Sequence, residues 1–142
     1  MTNEEKSILL QDLCARLPYG VKVKLLCRGP EPKFDDWIEV TLNTKDIELF
    51  GKTFKNIKPY LRPMSSMTEE EIKFMDDNGF RVYKKTNNFD NVWDVSDDGW
   101  GNTYVDKQSF ENVINFFCSH HIDYRGLIPM GLALPAKEGM YK

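Results

Sequence analysis

The chain lacks the residue spacings by which most small active sites can be read. It has no Cys-x-x-Cys pair, and its three cysteines, Cys14, Cys27 and Cys118, lie far apart in apolar neighbourhoods. That argues against a disulfide framework and for reduced, buried thiols in a cytoplasm. No H-E-x-x-H, P-loop, dinucleotide fingerprint, kinase motif or G-x-S-x-G turn occurs, so zinc hydrolysis, nucleotide binding and serine catalysis have no recognisable frame. No stretch approaches the about 20 apolar residues of a membrane span. The first residues, MTNEEKSILL, are acidic where a secretion signal would be basic. Positive charge is not in excess either. The formal net charge is −3, which disfavours a broad field for duplex DNA or anionic lipid and leaves room only for a local basic patch.

What is present is the composition of a folded protein. Hydrophobic residues make up 41%, aromatic residues 13% and charged residues 29%, enough apolar surface to avoid disorder without a metal or disulfide staple. A length of 142 residues predicts one domain, 1–142. Thr2 and Glu5 have capping-box spacing, and Ile8, Leu9, Leu13 and Leu17 follow at helical intervals until Pro18 and Gly20. Val21, Val23 and Leu25 alternate with Lys22 and Lys24, which predicts a strand with one wet face. Trp37–Leu42 and Asp46–Phe50 read as two further strands turned at Asn43 and Thr44. Lys52–Met67, with two prolines among basic and aromatic residues, reads as an irregular surface segment. Thr68 and Glu71 open a middle helix that Asn78-Gly79 closes. Phe80–Lys85 alternates again, and Val92–Val95 and Thr103–Val105 flank an Asp98-Gly99 hairpin signal. The last helix starts near Asp106 with Phe110, Val113, Ile114 and Phe117 as its apolar stripe. The order predicts an α+β fold: a largely antiparallel sheet of five or six strands with N-terminal, middle and C-terminal helices. Trp37 and Trp93 are expected in the core.

Three stretches carry a resemblance: LLQDLCARLPYGVKV (Leu9–Val23), IKPYLRPMSSMTEEE (Ile57–Glu71) and HHIDYRGLIPMGLAL (His120–Leu134). They resemble a group of small proteins without an assigned activity, encoded in gut bacterial genomes and their phages. The resemblance implies a bacterial or phage setting in the cytoplasm. It implies no activity, cofactor or catalytic residue.

The densest cluster of chemistry-bearing side chains is His120, His121, Asp123, Tyr124 and Arg125. Adjacent helical side chains diverge by about 100°, so the two histidines do not share one metal easily. The cluster suits a helix C-terminal lock: a histidine bonds the last carbonyls, Gly126 permits the turn, and Leu127, Ile128, Leu132 and Leu134 bring the tail back onto the domain. A polar binding site is the second reading. An acid–base pair of His120 or His121 with Asp123 and Arg125, in a small hydrolase or nuclease, is the third. Asp94, Ser96, Asp98 and Gly99 match the first positions of a calcium loop, but Val105 stands where the bidentate Glu belongs. The segment around Lys52, Lys55, Lys58 and Arg62 interleaves bases with Phe54 and Tyr60, a pattern that can hold single-stranded nucleic acid but suits snorkelling lysines better. Trp100, between two glycines, is a candidate interface anchor.

With catalytic frames missing and exposed aromatic and proline-rich surface expected at Tyr60, Pro63 and Trp100, the sequence points to a non-enzymatic interaction or regulatory accessory protein. Its partner would be another protein, with no membrane and no cofactor, and with nucleic acid disfavoured. Tyr60, Arg62, Trp100, His120, His121, Asp123, Tyr124 and Arg125 are the binding candidates, and no catalytic or metal residue is assigned. An acidic mimic of nucleic acid, built on Asp76, Asp77, Asp94, Asp97, Asp98 and Asp106, is a further alternative.

Overall fold

Local capping signals set the helices. In a computed structural model describing residues 1–27, 29–50, 56–84, 91–95 and 106–141, α1 spans Asn3–Arg16. Thr2 and Glu5 form the anticipated reciprocal box, Thr2 N donating to Glu5 Oε2 at 2.7 Å and Glu5 N to Thr2 Oγ1 at 3.1 Å. Strand β1 (Lys22–Cys27) and strand β2 (Asp36–Thr41) follow, then α2 (Thr44–Phe50), β3 (Ile57–Leu61), α3 (Glu69–Asp77), β4 (Phe80–Lys84), β5 (Asn91–Val95), α4 (Lys107–Ser119) and the two-residue β6 (Leu134–Pro135). The fold is α+β, as the order of signals indicated. Its six described strands form a four-stranded sheet, β2-β1-β3-β6, and a separate two-stranded sheet, β4-β5. The backbone gathers into two compact units, Met1–Leu61 with Gly126–Lys142, and Arg62–Arg125. Among the described residues no helix is long and apolar enough to cross a membrane.

In the first unit the alternation of β1 decides the layering. Val21, Val23 and Leu25 are buried and meet Leu9 and Leu13 of α1, Ile57 and Leu61 of β3, and Leu127, Leu132 and Ala133 of the tail. Of the apolar tail residues, Leu127 and Leu132 are thus core and Ile128 packs against it, while Leu134 is only half-buried. Two segments depart from expectation. Asp46–Phe50 is helical, because Asn43 and Asp46 cap each other: each backbone N–H donates to the other's side-chain oxygen at 3.0 Å. The alternation of Ile47 and Leu49 imitates a strand, yet the helix packs Ile47 on the core and leaves Leu49 75% exposed. Ile57–Leu61, within the segment expected to be irregular, is a buried interior strand. Trp37 is also not core. It lies on β2, at the edge of the sheet, and is 40% exposed. Cys14 and Cys27 are exposed as well, and only Cys118 is buried.

Pro59 fits inside a sheet because of register. Leu26 N donates to Asn56 O at 2.9 Å, and β1 pairs with β3 antiparallel through Leu25↔Ile57, Lys24↔Lys58 and Val23↔Pro59. Hydrogen-bonded pairs alternate in such a ladder. The bonded positions of this phase are therefore Leu26, Lys24 and, in an unbroken ladder, Lys22, and Pro59 falls between them with its missing N–H turned away from β1. The next bonded pair would be Lys22 with Tyr60. There the Tyr141 hydroxyl steps in, accepting from Lys22 N at 2.9 Å and donating to Tyr60 O at 2.6 Å. On the other side β6 pairs in parallel, Tyr60↔Leu134 and Leu61↔Pro135, with Ala136 N donating to Leu61 O at 2.7 Å.

The second unit is an aromatic and methionine core. Met64, Met67, Met75, Phe80, Val113, Phe117 and Ile122 are buried together, with Trp93 packed on them as expected. Phe110, the first member of the expected α4 stripe, is 48% exposed. β5 pairs antiparallel with β4, Val82 opposite Trp93, and the Asp98-Gly99 hairpin, the rest of the calcium-loop pattern after Asp94, and Trp100 lie outside the described residues. Asp94 itself faces Arg81 at 3.7 Å.

Burial pushes the Tyr141 phenol up to about 12 from its ordinary 10.0. Its protonated form is needed to donate to Tyr60 O, so the stability it contributes is complete below pH 10 and lost as pH climbs through about 12. Tyr141→Phe should cost about 1–3 kcal/mol at neutral pH, because Lys22 N and Tyr60 O both lose their partner. Urea unfolding at stepped pH should show the gap between the two proteins narrowing from pH 10 upward; a gap independent of pH would contradict the bridging role.

Candidate functional site

The histidine cluster is built by the end of α4. The helix carries Asp106 as its N-cap, bonded to Ser109 N at 2.7 Å, and runs to Ser119. His120 is the C-cap and is exposed. Its Nδ1 lies 3.0 Å from Phe116 O and 3.1 Å from Ser119 Oγ, and in the Nδ1–H tautomer it donates to that carbonyl. The ring lies tilted over Phe116 at 4.2 Å between centroids, and Phe116 stacks on Phe74 at 4.3 Å.

His121 turns the chain. It is buried and adopts φ 59°, the left-handed conformation usually left to glycine. Ile122 N donates to Phe117 O at 2.9 Å and His121 N to Cys118 O at 3.3 Å. This pair of bonds is a Schellman motif, and its apolar contact is supplied by Ile122 and Phe117, both in the core of this unit. The reversed chain is held by Arg62, whose N donates to His121 O at 2.7 Å and whose O accepts from Asp123 N at 2.8 Å. Asp123 is buried. Tyr124 stacks on Phe117 at 5.1 Å, accepts the Trp93 Nε1 proton on its carbonyl at 3.1 Å, and has the Arg125 guanidinium over its ring at 5.1 Å.

The Arg62 side chain is also engaged. Its two terminal nitrogens form a fork on Glu71, at 2.9 and 2.7 Å, and reach Ser66 O at 3.1 Å. Glu71 is the third helical residue of the box that opens α3, accepting from Thr68 N at 2.9 Å. Burial pushes the Glu71 carboxyl up, but the Arg62 fork and the Thr68 N–H outweigh it, and the group titrates below its ordinary 4.5. His120, His121, Asp123, Tyr124, Arg125 and Arg62 are therefore brought together, as a lock on the helix end. Among the described residues no three His, Cys, Asp or Glu side chains gather as a metal site would require. Of the acidic residues noted for mimicry, Asp77 bonds Lys73 at 2.9 Å, Asp94 faces Arg81, and Asp106 caps α4.

Tyr60 does not form exposed aromatic surface. It is 4% exposed, since it lies on interior strand β3. Its hydroxyl donates to Glu39 Oε1 at 2.8 Å, and Lys137 bonds the same oxygen with its ammonium 5.6 Å from the Tyr60 ring centre. Lys137 and then Tyr60 hold the Glu39 carboxyl below its usual range, and Glu39 raises Lys137 in return. Burial first and the Glu39 bond second raise the Tyr60 phenol. These residues lie on the face of the four-stranded sheet turned away from α1. The register puts Leu26, Lys24 and Lys22 of β1 on it, opposite Trp37, Glu39 and Thr41 of β2, with Lys58 and Tyr60 of β3 on the other side. An open groove of about 500 Å³ borders it, lined by Lys22, Glu39, Thr41, Lys137, Glu138 and Met140.

Sequence reasoning had missed Glu39, Lys137 and Tyr141, whose partners lie far away along the chain. It also missed the fully buried Asp12–Arg16 pair of α1, joined at 2.8 Å, although an acid four residues before an arginine is a legible helix signal. Compared with known proteins, the chain matches no family model, no curated protein and no solved structure.

Two predictions follow from the lock. His121→Ala and His121→Gly remove the same imidazole, so their difference isolates the backbone. The glycine variant should be the more stable by about 1 kcal/mol in chemical denaturation, the reverse of the usual order; an alanine variant as stable as the glycine one would mean the left-handed turn is not retained. Glu71 has a lowered folded pKa, so its stabilising contribution is present above pH 4.5 and is lost as pH falls through the folded value. Thermal melts from pH 6 downward should therefore show a shallower acid loss for Glu71→Gln than for the native chain, from a lower starting point.

Proposed function

We propose that the chain is a non-enzymatic binding module that acts through the outer face of its four-stranded sheet, as an accessory or regulatory protein in a bacterial or phage setting. The observation that carries this reading is a contrast in how polar residues are used. At the end of α4 the imidazole of His120, the guanidinium of Arg62 and the backbone of His121 are committed to holding the chain. On the sheet, Trp37 stands 40% exposed at the edge, beside a row of lysines. An exposed indole among rim charges is the composition of a binding anchor. The resemblance of Leu9–Val23, Ile57–Glu71 and His120–Leu134 to small proteins of gut bacteria and their phages supplies the setting.

Capture from a bacterial lysate tests this reading. Full-length chain as bait should enrich a macromolecule, and the Trp37→Ala, Lys24→Glu bait should lose it while keeping its far-ultraviolet spectrum. Thermal stabilisation by a small metabolite, with no macromolecule enriched, would overturn the binding-module reading in favour of a small-molecule site.

A further inference from the structure

The outer face of the sheet sets like charges side by side. Lys24 stands directly opposite Lys58 in the antiparallel ladder, and Lys22 follows Lys24 two residues along on the same face. Lys24 and Lys58 form a hydrogen-bonded pair, with Cα atoms about 5.5 Å apart, and like charges so placed repel and destabilise the sheet. Two strands fixed in this register therefore present neighbouring ammonium groups to one side. Lys137 adds a fourth where the tail meets Glu39. Among the described strand residues of that face Glu39 is the only carboxylate, and it is already bonded by Tyr60 and Lys137. The result is a concentrated positive patch on a chain whose net charge is −3. The overall charge hides it.

An exposed aromatic ring completes the surface. Trp37 lies across the ladder from Leu26, next to Lys24, whose ammonium is 5.4 Å from the indole centre. A phosphate drawn to Lys24 would bring its base within reach of that ring. Beyond Lys22 the face runs into the groove lined by Lys22, Thr41 and Lys137, with Glu138 at its rim. Lysines that follow a backbone, with an aromatic platform among them, are the elements by which proteins hold single strands without reading their sequence. An acidic peptide would satisfy the lysines but leave the indole without a matched partner.

Resting on the binding-module reading above, we propose that this face binds single-stranded nucleic acid, with Lys22, Lys24 and Lys58 on phosphates and Trp37 stacking on a base. The test is fluorescence anisotropy of a labelled 20-nucleotide oligo(dT) with the full chain, beside a duplex of equal length and a poly-glutamate peptide. The oligo(dT) should bind most tightly, with a log–log salt slope of about −2 for three phosphate contacts. Lys24→Gln should lower that slope by about 0.7 and weaken binding while raising the melting temperature, since it removes the repulsion with Lys58. A purely structural lysine would not couple those two changes. Trp37→Ala should weaken binding about ten-fold. Lys58→Gln should reproduce the effect of Lys24→Gln, which guards against a local folding artefact. Poly-glutamate bound as tightly as oligo(dT) would overturn the nucleic-acid assignment and move the face to an acidic protein partner, leaving the binding-module reading in place. Oligo(dT) binding that is unchanged in all three variants would place the nucleic-acid site elsewhere and overturn the proposal.

Discussion

Buried backbone polar groups must find partners, and strand β3 is where that requirement shapes the most structure. Ile57, Pro59, Tyr60 and Leu61 are all buried, so each carbonyl and each N–H there needs a bond or incurs the desolvation cost of a missing one. Pro59 removes one donor, and the ladder phase turns that loss away from β1. The Tyr141 hydroxyl then substitutes for the direct Lys22–Tyr60 bond, standing between donor and acceptor as a bound water would. β6 exists for the same reason. It is only two residues long, too short to persist alone, yet it pairs along the outer side of β3, and Ala136 N satisfies Leu61 O. Arg62, the next residue, meets the requirement within its own unit through His121 O and Asp123 N. A tail with little regular structure thus acquires fixed positions from the needs of one strand.

The same logic separates what could be read in the sequence from what could not. The boxes at Thr2/Glu5 and Thr68/Glu71 were legible because a cap needs only residues three apart, and the local chemistry is the whole cause. The alternation of Val21, Val23 and Leu25 was legible because one strand face is simply buried. Asn43 and Asp46 form a box of the same spacing, but the alternating apolar residues that follow argued for a strand, and the cap was the better guide. Ile57–Leu61 was not legible. Its proline and its basic neighbours describe a loop when only local preference is weighed, and its place inside the sheet depends on pairing with residues more than thirty positions before and seventy after it. Trp37 failed in the other direction: a large apolar residue in a strand pattern is core only if the strand is interior.

The candidate residues divide along similar lines. The reading of His120, His121 and Gly126 as a lock used helix-end chemistry, which is local, and the bonds to Phe116 O, Cys118 O and Phe117 O have that form. Which histidine does what was not legible. His120 bonds the carbonyl with its ring, whereas His121 contributes a backbone conformation. Arg62 and Tyr60 looked like adjacent members of one basic, aromatic surface. The chain passes from one compact unit to the other between Leu61 and Arg62. Tyr60 belongs to the Glu39–Lys137 network and Arg62 to the Glu71 fork, so the run of bases and aromatics is divided as soon as it folds.

That division also relocates the positive charge. Along the chain, the Lys22–Lys24 pair, Lys58 and Lys137 are far apart, and the net charge of −3 describes the whole sequence. The sheet sorts them by side-chain parity. β1 contributes its even residues, β3 contributes residues of the same parity because its register with β1 sums to an even number, and the tail adds Lys137 where Tyr141 anchors it. A slip of one residue between β1 and β3 would send Lys58 into the core and bring Ile57 out, which hydrophobic burial forbids. The register that buries Ile57 and Leu61 is therefore the register that sets Lys58 against Lys24. The charge repulsion on the outer face and the apolar packing on the inner face are two consequences of one alignment, and the repulsion persists because the packing on the other side is worth more.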